Sequence, residues 1–120
     1  MSSSENAQES KRIVRRIFEE LLPAATFPTE LATLVSPDYV DHDPVDAARA
    51  RGVEAIATTH AYLHERFAGK VAFTIDDIIA EDDVVAVRWS AGPARAIAWF
   101  RLRDGQLVDR WAVVTRAGDS

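Results

Sequence analysis

The chain has no cysteine among its 120 residues. Disulfide bonds, thiolate metal sites and a cysteine nucleophile are therefore excluded, although this alone does not decide the redox compartment. It also has no apolar run long enough to cross a bilayer. The opening residues Met1-Ser2-Ser3-Ser4-Glu5-Asn6 do not follow the charged-then-apolar order of a secretory signal, so the cytoplasm is the expected location. A basic surplus is missing too: 14 Lys and Arg face 19 Asp and Glu, for a net charge of -5. With its cations scattered, the chain has no stripe to neutralise a row of phosphates, and neither nucleic acid nor an anionic membrane is an expected partner. There is no repeat or low-complexity tract, and only residues 1–8 and 117–120 read as frayed ends.

What is present is the balance of one globular domain over residues 1–120, with 48% hydrophobic and 28% charged side chains. Over residues 9–22, Ile13, Val14, Ile17, Phe18, Leu21 and Leu22 recur at helical spacing and predict an amphipathic helix ended by Pro23. A second, shorter helix should start at Pro28 and bury Leu31, Leu34 and Val35 before Pro37. Gly52 opens a third helix with Val53, Ile56, Ala57, His60, Leu63 and Phe67 on one face, and Gly69 ends it. Beyond it the pattern is that of strands, over about residues 71–80, 84–91, 94–103 and 106–116. The pairs Asp82-Asp83, Gly92-Pro93 and Asp104-Gly105 are turns too short to join anything but antiparallel neighbours. The expected architecture is α+β, with three N-terminal helices packed on a curved antiparallel sheet.

The candidate chemistry centres on Tyr39-Val40-Asp41-His42-Asp43-Pro44, an extended segment crowded with ionisable groups. Asp43 is a candidate base if apolar surroundings hold it near neutrality; in the plainer reading its carboxylate caps the loop that follows. His42 could shuttle a proton, but neighbouring residues of an extended segment face opposite ways, so His42 and Asp43 should not both enter one pocket. His60 lies on an apolar helix face, where an imidazole must find a partner, either in the core or in a pocket. His60 and His64 have the four-residue spacing of a zinc pair, yet Ala61 stands where a metalloprotease carries its glutamate, and no metal site is expected. Alternation places Trp111, Val113 and Thr115 on one sheet face, and Ala94, Ala96, Ala98, Phe100 and Leu102 on one face of the preceding strand. The alanines leave room for either tight packing or a cavity.

These elements, the Tyr-Val-Asp-His-Asp-Pro segment, and the last hairpin, Phe100-Arg101-Leu102-Arg103-Asp104-Gly105-Gln106-Leu107-Val108-Asp109-Arg110-Trp111, together resemble the SnoaL-like polyketide cyclase family. That family belongs to the nuclear-transport-factor-2-like superfamily, which also holds the ketosteroid isomerases. The resemblance implies a cone-shaped α+β barrel with an apolar pocket between sheet and helices, commonly dimeric through the outer sheet face. It also implies an acid/base aspartate on the last strand, four residues after the hairpin tryptophan, where this chain has Thr115. The proton-shuttling aspartate of the isomerases falls on Asp43, within Asp43-Pro44-Val45, and their oxyanion donors fall on Ile17 or Phe18 and on Ala98.

The resulting expectation is a binder of a small apolar polycyclic or aromatic metabolite, capable at most of cofactor-free cyclisation, isomerisation or hydration. Asp43, His60 and His42 are the candidate proton carriers, and Tyr39, Trp111, Thr115, Phe18 and Ala98 the candidate substrate contacts. The alternative is a non-catalytic ligand-binding or dimerisation module, because Thr115 has no useful acid/base pKa. A homodimer would use an outer sheet face carrying Ile97, Trp99, Val108 and Val114.

Overall fold

The computed structural model describes residues 3–116, so the fraying expected at residues 117–120 and at the first two residues lies outside the described part. Helix α1 (Ser3–Arg16) begins upstream of the residue 9 at which the apolar periodicity starts. It runs into a wider π-turn over Ile17–Leu21, closed by the Leu22 N–H donating to the Ile17 carbonyl at 2.8 Å. Ile17, Phe18, Leu21 and Leu22 all lie in the interior, the face that the helical periodicity assigns to them. Helix α2 (Thr29–Thr33) buries Leu31 and is tied to α1 by a forked Arg16–Glu30 pair, at 2.5 and 2.6 Å. Helix α3 spans Gly52–Arg66, the element that the Gly52 and Gly69 punctuation predicts. Gly52 has φ of +62°, and a Cβ there would lie 3.5 Å from the Pro37 carbonyl oxygen, so a side chain would be strained in that conformation.

The sheet has five strands: β1 (Val35–Asp41), β2 (Thr74–Glu81), β3 (Val84–Ala91), β4 (Ala94–Arg103) and β5 (Gln106–Arg116). Their order is β1-β5-β4-β3-β2, which leaves the sheet open, with β1 and β2 at its edges. The pairs β2/β3, β3/β4 and β4/β5 form the expected antiparallel meander. The addition is β1, which joins β5 in parallel and draws Val35 into a strand instead of the second helix. The motif segment thus forms the last part of an edge strand beside the strand that ends the chain's fold. The helices cover one sheet face; Val14, Leu31, Val35, Tyr39, Val85, Val87 and Leu107 form its most deeply buried packing.

One irregularity decides which side chains look inward along β5. Arg101 pairs with Asp109, but Leu102 pairs with Leu107, so Val108 is an extra residue in a β-bulge. Leu107 faces the core, and past the bulge the alternation is reversed: Arg110, Ala112 and Val114 point to the helix side, while Asp109, Trp111, Val113 and Thr115 lie on the outer face with Arg95, Ile97, Trp99 and Arg101. Val108 is buried, and Val113 stands on the outer face where Val114 was expected.

Candidate functional site

A cavity of about 300 Å³ lies between the sheet and the helices, bounded by the π-turn, α3 and the inner faces of β3, β4 and β5. Its wall is aromatic. Phe18, in the π-turn, meets Phe73 edge-on at 5.2 Å and Phe100 at 6.0 Å, and Phe73 meets Trp89 at 5.1 Å. From α3, Ile56, Thr59, Leu63 and Arg66 line it at the three- and four-residue spacing of one helix face. Asp43, Arg110, Ala112 and Val114 complete the side nearest β1.

Asp43 owes its place to the end of β1. The parallel ladder closes with the His42 N–H donating to the Arg110 carbonyl at 2.8 Å, and the Asp43 side chain then continues it: its Oδ2 accepts the Ala112 N–H at 2.8 Å. Oδ1 has no partner among the described residues. The carboxylate is therefore a strand-edge cap and part of the cavity wall, not a cap on its own following loop. Behind it, Arg110 Nη1 donates to both oxygens of Asp41, at 2.8 and 3.1 Å, and to the Asp43 carbonyl at 3.1 Å. Asp41 is 3% exposed and accepts the Asp43 N–H as well, so the turn carrying Asp43 is held at three points.

The other expected site residues separate. Phe18 lines the cavity as expected. Ala98 is on the inner face but packed to 1% exposure without reaching the cavity, whereas Ala94 does line it, so the alanine run provides both close packing and open space. Tyr39 is a core residue at 1% exposure, off the cavity, and its hydroxyl has no hydrogen-bond partner among the described residues. Burial, and secondarily the Asp41 charge, push its phenol well above the ordinary value of 10.0. His60 turns one step round α3 from the cavity-facing residues: its Nε2 pairs with the Ala24 carbonyl at 2.8 Å and its ring meets Phe27 edge-on at 5.6 Å. His64 does the same with the Leu22 carbonyl at 2.9 Å, so the two imidazoles fasten α3 to the segment after the π-turn. Among the described residues no group of three His, Asp or Glu side chains gathers as metal ligands would.

Trp111 and Thr115 are placed by the bulge on the outer face, not in the pocket. His42 is there too, with Nε2 2.8 Å from Asp109 Oδ1 and its ring stacked on Trp111 at 4.6 Å and 2°. Arg101 completes this surface cluster, 3.1 Å from Asp109 and 5.7 Å above the Trp111 ring. Sequence reasoning missed Arg110 and Arg66 as cavity residues. An unequal residue count between the paired strands would have signalled the first, but only with the pairing register in hand.

A helix layer on one face of an open five-stranded sheet, with a pocket between them, is the α+β arrangement of the nuclear-transport-factor-2-like proteins. Residues 14–110 match the SnoaL-like domain, and the chain belongs to that family. Among solved structures, IdmH from Streptomyces antibioticus, described as a candidate polyketide cyclase, superposes with a TM-score of 0.68 at 20% identity, over 88% of this chain and 91% of that one. A candidate SnoaL-like polyketide cyclase from Jannaschia sp. CCS1 gives 0.70 at 18% identity, over 95% and 90%. An NTF2-like protein from Anabaena variabilis gives 0.74 at 14% identity, over 100% and 97%. At these identities the likeness is one of fold. No functionally curated protein shows significant similarity to the chain. Among the described residues, no helix is long and apolar enough to cross a membrane.

Proposed function

We propose that the chain binds an apolar polycyclic or aromatic metabolite in the cavity beneath α3 and that Asp43 moves a proton on it. The observation that carries this reading is the Asp43 carboxylate on the wall of a largely apolar cavity, with one oxygen pinned by the Ala112 N–H and the other without a partner among the described residues. A fixed carboxylate beside an enclosed apolar ligand can take a proton from carbon next to a carbonyl and return it elsewhere, the elementary step of isomerisation and of aldol-type cyclisation. The test is deuterium exchange at the activated carbon of 2-tetralone in D2O, followed by NMR. The wild type should accelerate exchange and Asp43→Asn should lose most of that acceleration; equal rates in the two proteins would end the proton-transfer reading.

A second reading, a non-catalytic binding module, is favoured by the placement of the other expected site residues away from the wall. His60 is engaged with Ala24, and His42 and Thr115 face the other way. Saturable binding of 2-tetralone with no accelerated exchange, the ketone being recovered unchanged, selects this reading. In either case we expect a homodimer through the outer sheet face, where Val84, Ile97, Trp99 and Val113 are exposed.

A further inference from the structure

Taking a proton from carbon beside a carbonyl puts negative charge on the carbonyl oxygen, which a carboxylate such as Asp43 cannot stabilise. A donor has to stand on the same wall. Several donors there are spent or shut away: the Thr59 hydroxyl is given to the Ala55 carbonyl at 3.1 Å, and the Trp89 indole nitrogen is sealed off. Tyr62 and Arg66 also line the cavity, but both are exposed, where water screens whatever they hold.

Arg110 differs from all of these. It is on the helix side of β5, lines the cavity, and has a side chain only 15% exposed. Of its guanidinium nitrogens Nη1 alone is engaged, with the Asp41 carboxylate and the Asp43 carbonyl; Nε and Nη2 have no partner among the described residues. Nor are they closed off. Among the described residues the sealed, unpaired side-chain atoms are the Tyr39 hydroxyl and the Trp89 indole nitrogen, so the free edge of Arg110 keeps accessible surface.

A guanidinium is rigid and planar, so anchoring Nη1 on Asp41, itself 3% exposed, fixes the direction of the remaining N–H groups. The donor is in place before any charge develops. Arg110 and Ala112, whose N–H holds Asp43, are two residues apart on one face of β5, about 7 Å along the strand. One ketone spans that interval, with its α-hydrogen toward the base and its oxygen toward the cation.

We propose that Arg110 is a catalytic residue of this site, its free Nε and Nη2 edge holding the oxygen of an enolisable ketone while Asp43 takes the neighbouring proton. This rests on the proton-transfer reading above and adds the group that receives the charge. In the step, Asp43 Oδ1 takes the proton, the C–H electron pair becomes the carbon–carbon double bond, and the carbonyl π pair moves to the oxygen beside Arg110. Returning the proton to carbon re-forms the carbonyl and the Asp43 carboxylate. Arg110 stays protonated throughout.

The experiment uses 2-naphthol, a planar counterpart of the enolate of 2-tetralone, on Asp43→Asn, whose uncharged side chain imitates Asp43 after it has taken the proton. Free naphthol is protonated at pH 7, like other phenols. Bound beside Arg110 it should show the absorption band of the naphtholate and bind about tenfold or more tighter than 2-tetralone. Adding Arg110→Lys, which lacks the planar fork, should abolish that band and leave 2-tetralone affinity within about threefold. With Asp43 present, Arg110→Lys should lower kcat for deuterium exchange about 100-fold with little change in KM. Where the lysine variant does not fold, the naphthol spectrum of Asp43→Asn decides alone. Naphthol bound in its neutral form and no tighter than 2-tetralone, or an exchange rate indifferent to Arg110→Lys, overturns the role of Arg110 and leaves Asp43 as the base. Equal exchange in wild type and Asp43→Asn, or no binding of either ligand, removes this inference together with the reading it rests on.

Discussion

Asp41 and Arg110 support Asp43 through a pair that does not survive the loss of one member. Asp41 is 3% exposed and faces one guanidinium nitrogen at 2.8 Å. Arg110→Ala should therefore cost about 3–5 kcal/mol in urea denaturation, because it leaves a buried carboxylate unpaired, and adding Asp41→Asn should recover part of the loss. A double variant no more stable than Arg110→Ala would mean that Arg110 acts through packing alone. Tyr39 provides the opposite case, a buried hydroxyl with nothing to bond, so Tyr39→Phe should be neutral or slightly stabilising at pH 7. Its phenol is held above the ordinary value of 10.0 by burial, so the folded state keeps a proton that the unfolded chain releases as the pH passes 10. That contribution is complete below pH 10 and falls by about 1.4 kcal/mol per pH unit above it until the folded phenol itself ionises. The alkaline limb of a stability–pH curve should be shallower in Tyr39→Phe, and identical limbs would contradict the buried placement. At this scale, Asp43 was legible because an Asp-Pro at the end of an extended segment restricts where a carboxylate can go. His60 was legible only as inward-facing: helical spacing brings a side chain to the interior, but whether it meets a cavity or the Ala24 carbonyl depends on a segment 36 residues away.

The sequence specifies elements better than it specifies their faces. The limits of β3, β4 and β5 follow from turn pairs in which Asp82, Gly92 and Asp104 adopt φ between 52° and 56°, the left-handed start that two-residue hairpins need. β1 was hidden because Pro37 interrupts it, its burial does not alternate cleanly, and its partner β5 is reached only after the whole intervening chain. The Val108 bulge had the largest consequence. One added residue reverses the alternation, so Trp111 and Thr115, which would share a face with Leu107 in an unbroken strand, lie opposite it. Adjacent substitutions on β5 test this. Val114→Trp should fill the cavity and abolish 2-tetralone binding, whereas Val113→Trp, on the outer face, should leave it within about twofold, a difference of under 0.5 kcal/mol. Both valines are more than half exposed, so neither change burdens the core. The reverse pattern in calorimetry would place the bulge wrongly.

The whole molecule has two sheet faces with different uses. The inner face is consumed by helices and cavity; the outer one is uncovered, with Ile97 47%, Trp99 40% and Val113 61% exposed. Trp99 and Trp111 are paired across β4 and β5, and the His42 ring extends that aromatic surface. The homodimer proposed above would cover this patch, since two twisted sheets can pack about 10 Å apart with their side chains interdigitated. A second copy is the occupant this face suits, since arginines and aspartates surround the apolar centre in alternation, Arg101 with Asp109 and Arg88 with Asp77, and a rotated copy would meet the same mixed rim. Sedimentation velocity of the wild type should give a dimer at micromolar concentration. Ile97→Lys combined with Val113→Lys should give a folded monomer, since both positions lie outside the core and like charges would then face each other across the interface. The monomer should still bind 2-tetralone, because Ile97 and Val113 lie on the face of the sheet opposite the helices and are not on the cavity wall. Loss of ligand binding together with the dimer would mean that the outer face shapes the cavity through the sheet, whereas a wild type that sediments as a monomer would leave Ile97, Trp99 and Val113 without a partner of their own kind.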